Sequence, residues 1–129
     1  MPNYKYDHIH LVSADPTKAA EFYERAFGAK RVSTGKFPDG GARIELNLGG
    51  TRLLLRPPRS ANQTAQDTPR QRQGLEHFGL SVDNIDTAVA DLKAKGVKFQ
   101  DELTTLAGGV KMAFILAPDN VSIELMQSA

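Results

Sequence analysis

The spacing of apolar residues predicts one order of structural elements, and predicts it twice. The first apolar run, from Tyr6 to Val12, has the length of a buried strand. Asp15 followed by Pro16 is typical of a helix start, because aspartate caps the first turn and proline needs no hydrogen-bond donor there. Apolar side chains at helical spacing continue to Phe27, and Gly28 predicts the end of that helix.

Three more strands follow in the first half, and the whole order then recurs. Glycine-rich turns separate these strands, which are predicted over residues 31–37, 42–48 and 51–56. The second half predicts a strand over 75–82, a helix capped by Asn84 that runs to Gly96, and strands over about 99–103, 110–116 and 121–126. Each half is therefore a βαβββ module. One such module cannot cover its own sheet, so two must pair.

The predicted organisation is a single domain over residues 1–129. Module 1 spans about 4–56 and module 2 about 74–127. The stretch 57–73 contains no large apolar side chain but does contain three prolines. It is predicted to be a loop between the modules, and its length would also suit a lid.

One histidine lies in the first strand of each module. His8 and His77 stand 69 positions apart, and an offset within one residue of this aligns Leu54 with Glu124. Side chains alternate between the two faces of a strand, so both histidines and Glu124 fall on the polar face. Two imidazoles and one carboxylate make a metal site. The sequence therefore predicts a divalent ion held by His8, His77 and Glu124, with Leu54 where the repeat predicts a second carboxylate.

Two further residues of the polar face are the candidate catalytic groups. His10 is predicted to line the site or support a ligand, with direct coordination as the alternative. Glu45 lies one strand early, where the repeat aligns it with Ala113. It is a solvated strand carboxylate, a substitute ligand or a general base, and the sequence leaves these three alternatives open.

Three arginines occupy the same face of the middle strands: Arg43, Arg52 and Arg56. One interpretation is that they are ordinary charges on a strand surface. The other is that they face the cavity and bind a substrate carboxylate, phosphate or enolate, because the guanidinium fork matches such anions. The candidate partner is a small molecule, and on the second interpretation it carries negative charge.

Composition narrows the class of protein. The chain has no cysteine, which excludes disulfides, thiolate zinc sites and a cysteine nucleophile. A net charge of +1, with both signs spread along the chain, indicates neither a nucleic-acid nor a membrane surface. The first residues have no apolar stretch of signal-peptide length, so a cytoplasmic protein is expected.

These motifs together resemble the vicinal oxygen chelate superfamily, whose members include glyoxalase I, extradiol dioxygenases, methylmalonyl-CoA epimerase, and bleomycin and fosfomycin resistance proteins. The residues that carry the resemblance are Asp7-His8-x-x-Leu11, Asp15, Phe22-Tyr23, Gly28, Glu76-His77-x-x-Leu80-x-Val82, Pro118-Asp119-Asn120 and Ile123-Glu124-Leu125. The resemblance implies an α+β fold in which two paired βαβββ modules form a cupped, incomplete eight-stranded barrel around a divalent metal. It also implies a homodimer, with the modules paired within one chain or between two.

The resemblance further implies ligands at His8, Leu54, His77 and Glu124, of which Leu54 cannot bind a metal. The remaining set resembles that of extradiol dioxygenases, where two histidines and one glutamate hold Fe(II). A dioxygenase-like reaction is therefore favoured over a glyoxalase-type lyase or isomerase, with Fe(II) favoured and Zn(II), Ni(II) or Mn(II) as alternatives. A metal-free protein that binds antibiotics is the rival, disfavoured because the chain has no tryptophan to stack a flat ligand.

Overall fold

Two units with the same order of elements make up the chain, Met1–Ala65 and Gln66–Ala129. The computed structural model describes residues 2–65 and 73–129. Residues 57–65 contain no helix or strand. The rest of the predicted lid includes residues 66–72, which lie outside the described residues, so the lid stays a prediction.

The first unit follows the order read from its apolar spacing: β1 (His8–Val12), α1 (Pro16–Phe27), β2 (Lys30–Lys36), β3 (Ala42–Leu48) and β4 (Thr51–Arg56). Its sheet has the strand order β1-β4-β3-β2, with β1 parallel to β4 and the other pairs antiparallel. The Asp15 side chain accepts a hydrogen bond from the Lys18 backbone N–H, and Gly28 ends the helix at φ 70°, where other residues are strained.

The second unit repeats this plan with β5 (Phe78–Ser81), α2 (Ile85–Ala94), β6 (Lys98–Thr105), β7 (Lys111–Ala117) and β8 (Val121–Gln127). Its sheet order is β5-β8-β7-β6, again with one parallel pair, β5 and β8. The predicted α+β class and the βαβββ order are confirmed. Among the described residues, no helix is both long enough and apolar enough to span a membrane.

Each sheet buries the apolar side of its strands under its own helix. In the first unit Tyr23 of α1 and Leu53 and Leu55 of the sheet are almost completely buried; in the second, Ile85 and Ile123 are. Full burial of such a side chain stabilises the fold by about 1.5–3 kcal/mol. Because these residues occupy one face, the opposite face is left for polar side chains.

The first strand of each unit is shorter than its apolar run predicts. β1 begins at His8 rather than Tyr6, and β5 begins at Phe78 rather than Leu75. Tyr6 and Leu75 are 71% and 68% exposed, so these apolar side chains lie outside the core and do not extend the sheet. His8 therefore opens β1, whereas His77 immediately precedes β5.

Candidate metal centre

His77 and Glu124 meet on the polar face of the second sheet. Glu124 lies on β8, where it is the register partner of Gly79 on β5. The distance from Nε2 of His77 to Oε1 of Glu124 is 3.3 Å, with the two side chains 28% and 16% exposed. Two donors each about 2.1 Å from one ion and 3.3 Å apart subtend roughly 105° at that ion. This donor pair therefore fits two neighbouring positions of a tetrahedral or octahedral site.

Two other residues hold the ring of His77 in this orientation. Oε1 of Glu76 lies 2.9 Å from Nδ1, where a carboxylate accepts the ring N–H. The ring of Phe114 on β7 meets the imidazole edge to face, with 4.9 Å between ring centroids. A ring held at Nδ1 presents Nε2, and such carboxylate–histidine pairs are typical around metal-binding histidines.

His8 repeats the same arrangement in the first unit. Oδ2 of Asp7 lies 2.6 Å from Nδ1 of His8, so the preceding residue again holds that nitrogen. This hydrogen bond is the main cause of a lowered pKa for the Asp7 carboxyl, with Arg52 contributing. Both predicted imidazole ligands are thus oriented in the same way, by a carboxylate at Nδ1, and in each Nε2 is the nitrogen that can bind an ion.

Glu45 is held by two arginines. Nε and Nη2 of Arg52 donate to its two carboxylate oxygens over 3.1 and 3.2 Å, and Nη2 of Arg43 donates over 3.0 Å. The hydrogen bonds from Arg52, followed by those from Arg43, lower the pKa of Glu45. Both oxygens already accept from arginines, so a role for Glu45 as ligand or base would compete with these contacts.

The strand register also corrects the alignment of Glu45. Leu54 pairs with Glu45 across β3 and β4, and Glu124 pairs with Phe114 across β7 and β8. Glu45 therefore corresponds to Phe114 and not to Ala113, because the pairing, rather than turn length, fixes the match. In the first unit a carboxylate lies on β3 beside an apolar residue on β4, and in the second an aromatic lies on β7 beside a carboxylate on β8.

A second arginine cluster holds the turn between β2 and β3. Arg56 is only 3% exposed, and its Nη2 donates to Oδ2 of Asp39 over 2.7 Å. Its guanidinium carbon lies 4.9 Å from the ring centroid of Phe37, on which His10 stacks at 5.4 Å. A backbone hydrogen bond from Gly41, followed by that from Arg56, lowers the pKa of Asp39.

His10 is a partly buried imidazole beside this cluster. Burial, with a smaller contribution from His8 and nearby arginines, lowers its pKa, so the ring is neutral at pH 7. Among the described residues, its Nε2 is buried without a hydrogen-bond partner. Its ring centroid lies 6.2 Å from that of His8.

Acid sensitivity follows from the lowered pKa values of Glu45 and Asp39. A carboxyl whose pKa is lower in the folded state stabilises the fold above its ordinary pKa, and this contribution is lost as the pH falls through the folded value. We expect the free energy of unfolding to fall as the pH drops below the ordinary values of 4.5 and 3.8. Urea unfolding across pH should show Glu45→Gln less stable than wild type at pH 7 and the difference shrinking in acid. A constant difference would contradict the prediction.

The structure thus brings together two of the three predicted ligands, His77 and Glu124, while His8 belongs to the other unit. In the described part of the chain, no three histidine, aspartate or glutamate side chains form a cluster suited to a metal. All three predicted substrate-binding arginines contact carboxylates of their own unit. Sequence reasoning assigned no role to Asp7, Glu76 or Phe114. An acidic residue directly before each repeated histidine was the available signal for the first two.

Several known proteins are similar to this chain. The model of the Glyoxalase/Bleomycin resistance protein/Dioxygenase superfamily matches residues 5–125. Mitochondrial methylmalonyl-CoA epimerase of Bos taurus is 30% identical over 130 residues, which cover 96% of this chain and 74% of that protein. Lactoylglutathione lyase of Schizosaccharomyces pombe is 29% identical over 150 residues, covering 100% of this chain and 49% of the lyase.

The crystal structure of the fosfomycin resistance protein FosX from Listeria monocytogenes, complexed with Mn(II) and sulfate, has the same fold. Its TM-score is 0.74 at 16% identity, and the match covers 99% of this chain and 95% of that chain. At this identity the likeness concerns the fold alone.

Proposed function

The chain belongs to the glyoxalase/bleomycin resistance protein/dioxygenase superfamily, and from that premise we propose that it is an enzyme in which His77, Glu124 and His8 hold one divalent ion. The proposed substrate is a small molecule with neighbouring oxygens. The observation that carries the proposal is the shared preparation of the two histidines, in which Asp7 and Glu76 hold Nδ1 of the residue that follows each.

When bound, the ion would act as a Lewis acid on the substrate oxygens. Two imidazoles and one carboxylate suit Mn(II), Fe(II), Ni(II) and Zn(II) alike. The manganese in FosX supports a divalent ion in this fold without selecting one for this chain. Asp7 and Glu76 already hold the imidazole rings in place, so less side-chain entropy is lost when the rings bind an ion.

Proton transfer beside a carbonyl is the reaction that the relatives' names support best. An epimerase must remove a proton from a carbon and return one to its other side, and this requires a group that can accept a proton at neutral pH. Of the two candidates, His10 is neutral at pH 7 and its Nε2 lacks a partner among the described residues. Glu45 is paired with Arg43 and Arg52. We therefore assign removal of the proton to His10, and the proton returned to the other side would come from water.

The three arginines are assigned no part in the leading proposal. Binding of an anionic substrate by Arg43, Arg52 and Arg56 stays a prediction, because each guanidinium would have to exchange or share its present carboxylate. A homodimer also stays a prediction. A light-scattering mass near 14.1 kDa at micromolar concentration would contradict it.

A ring-cleaving dioxygenase is the second candidate, and Leu54 favours it. This side chain is apolar and 6% exposed, at the position where the family resemblance implies a fourth protein ligand. Three protein ligands would leave room for both a chelating substrate and O₂.

Isotope exchange tests the leading proposal against this alternative. Metal-depleted protein is reloaded with Mn(II), Fe(II) or Zn(II) and incubated with methylmalonyl-CoA in deuterated water. We expect metal-dependent deuterium uptake at the carbon between the two carbonyl groups, and NMR measures this uptake. Oxygen consumption with catechols and Fe(II), but no deuterium uptake, would favour the dioxygenase. Absence of stoichiometric divalent-ion binding in calorimetry would contradict both.

A further inference from the structure

A continuous chain of contacts joins a buried carboxylate to His8 in the first unit. Glu45 is bound by Arg52, Arg52 is bound by Asp7, and Asp7 is bound by His8. We propose that Arg52 is a positioning residue for His8, which fixes the Asp7 carboxylate and through it the orientation of the imidazole. The proposal rests on the metal-binding role of His8 given above.

The series of contacts starts at a side chain that is held in place, Glu45. Glu45 lies on β3, an inner strand of the sheet, and its side chain is only 11% exposed. Arg43 also holds it, and Arg43 in turn donates to Oγ of Ser33 on β2 over 3.2 Å. A carboxylate held from two sides on an inner strand has little freedom to move.

Arg52 passes this constraint on because its guanidinium is planar and rigid. Nε and Nη2 engage both oxygens of Glu45, and the remaining nitrogen, Nη1, donates to Oδ2 of Asp7 over 2.8 Å. Three nitrogens of one plane are thus used, so fixing the plane on Glu45 also fixes where Nη1 points. A lysine ammonium lacks this fork geometry.

Asp7 needs such a constraint. It precedes β1 and its side chain is 67% exposed, so few other contacts restrict its rotamer. The same oxygen, Oδ2, accepts from Arg52 and lies 2.6 Å from Nδ1 of His8. Arg52 therefore selects the carboxylate position in which Asp7 meets the imidazole.

The second unit holds its histidine by different means. The strand register places Ser122 where the first unit has Arg52, and Phe114 where it has Glu45. Phe114 packs directly on His77. In the first unit the ion pairs of Arg52 with Glu45 and Asp7 thus take the place of the aromatic contact on the histidine in the second unit. This gives Glu45 a structural role other than that of a ligand or base.

The test compares Arg52→Met with Arg43→Met. Each variant removes one guanidinium from Glu45 and one positive charge from the same face, but only Arg52 contacts Asp7. In metal-free protein in mildly alkaline buffer, ¹⁵N NMR of the imidazoles reports the tautomer of His8. We expect the Nδ1–H tautomer to dominate in wild type and in Arg43→Met, and to give way to a mixture in Arg52→Met.

Mn(II) affinity gives the second measurement. Arg52→Met should bind Mn(II) about tenfold or more weakly than wild type, as is typical when a residue that orients a metal ligand is lost. The affinity of Arg43→Met should stay within about threefold of the wild-type affinity. In an Asp7→Asn background, Arg52→Met should add little, because the link to His8 is already broken. Arg52→Lys serves if the methionine variant does not fold, with the same direction expected.

Equal tautomer ratios in Arg52→Met and Arg43→Met would overturn the proposal, as would an undiminished effect of Arg52→Met in the Asp7→Asn background. Failure of the proposed function looks different. Wild type would then not bind Mn(II), while the tautomer of His8 would still respond to Arg52 alone and so support the positioning role.

Discussion

Glu124→Ala is expected to lower the affinity for a divalent ion about 100-fold or more and to remove metal-dependent activity. Structural zinc sites with four ligands bind with about 10–16 kcal/mol, or about 3 kcal/mol per ligand, which corresponds to roughly 100-fold. Glu124 is the carboxylate that meets Nε2 of His77, so its loss removes half of the donor pair in the second unit. Calorimetric titration with Mn(II) and Zn(II) measures the change.

Glu45→Ala is the control, because it removes one carboxylate from the polar face of the first sheet, at a position that the register matches to Phe114 rather than to Glu124. Glu45 contacts arginines rather than a histidine, so the loss should be indirect and no more than about tenfold. Glu124→Gln separates charge from shape and should resemble Glu124→Ala. Equal losses in the Glu45 and Glu124 variants would mean that the carboxylate ligand has been assigned to the wrong residue.

The extent to which the sequence predicts the fold depends on local signals. The bounds of α1 agree at both ends, because Asp15, Pro16 and Gly28 mark them through backbone chemistry that needs no tertiary context. The starts of β1 and β5 differ from prediction. Apolar character at Tyr6 and Leu75 extended both runs, but these side chains are exposed, and only pairing with β4 and β8 decides where each strand begins.

The sequence likewise predicts one part of the candidate site and not another. Alternation along a strand was enough to place His77 and Glu124 on one face, where the structure finds them together. The partners of the arginines could not be predicted, since Arg52 reaches Asp7 across 45 positions and Arg56 reaches Asp39 across 17. Such contacts depend on strand register and rotamers. In the sequence, Arg43, Glu45 and Arg52 look like three separate charges on neighbouring strands. Only the structure shows that both arginines bind the one carboxylate.

Leu54→Glu is expected to raise the affinity for Zn(II) or Ni(II) about 100-fold by completing a set of four protein ligands, while reducing any Fe(II)-dependent oxygen chemistry. Leu54 pairs with Glu45 across the strands, and like charges in this position ordinarily destabilise a sheet. Here Glu45 already accepts from both Arg43 and Arg52. These contacts offset its charge and keep both guanidiniums occupied, which leaves the introduced carboxylate available to a metal.

Leu54→Gln provides the control, because it introduces an amide of nearly the same shape that binds these ions poorly. Metal titration of Leu54→Glu, Leu54→Gln and wild type, each after metal removal, separates coordination from a change in packing. A gain confined to Leu54→Glu would support a position beside the ion. Equal affinities in all three proteins would contradict the prediction, because the side chain of residue 54 would then lie away from the metal and the absence of a fourth ligand would have no bearing on the reaction.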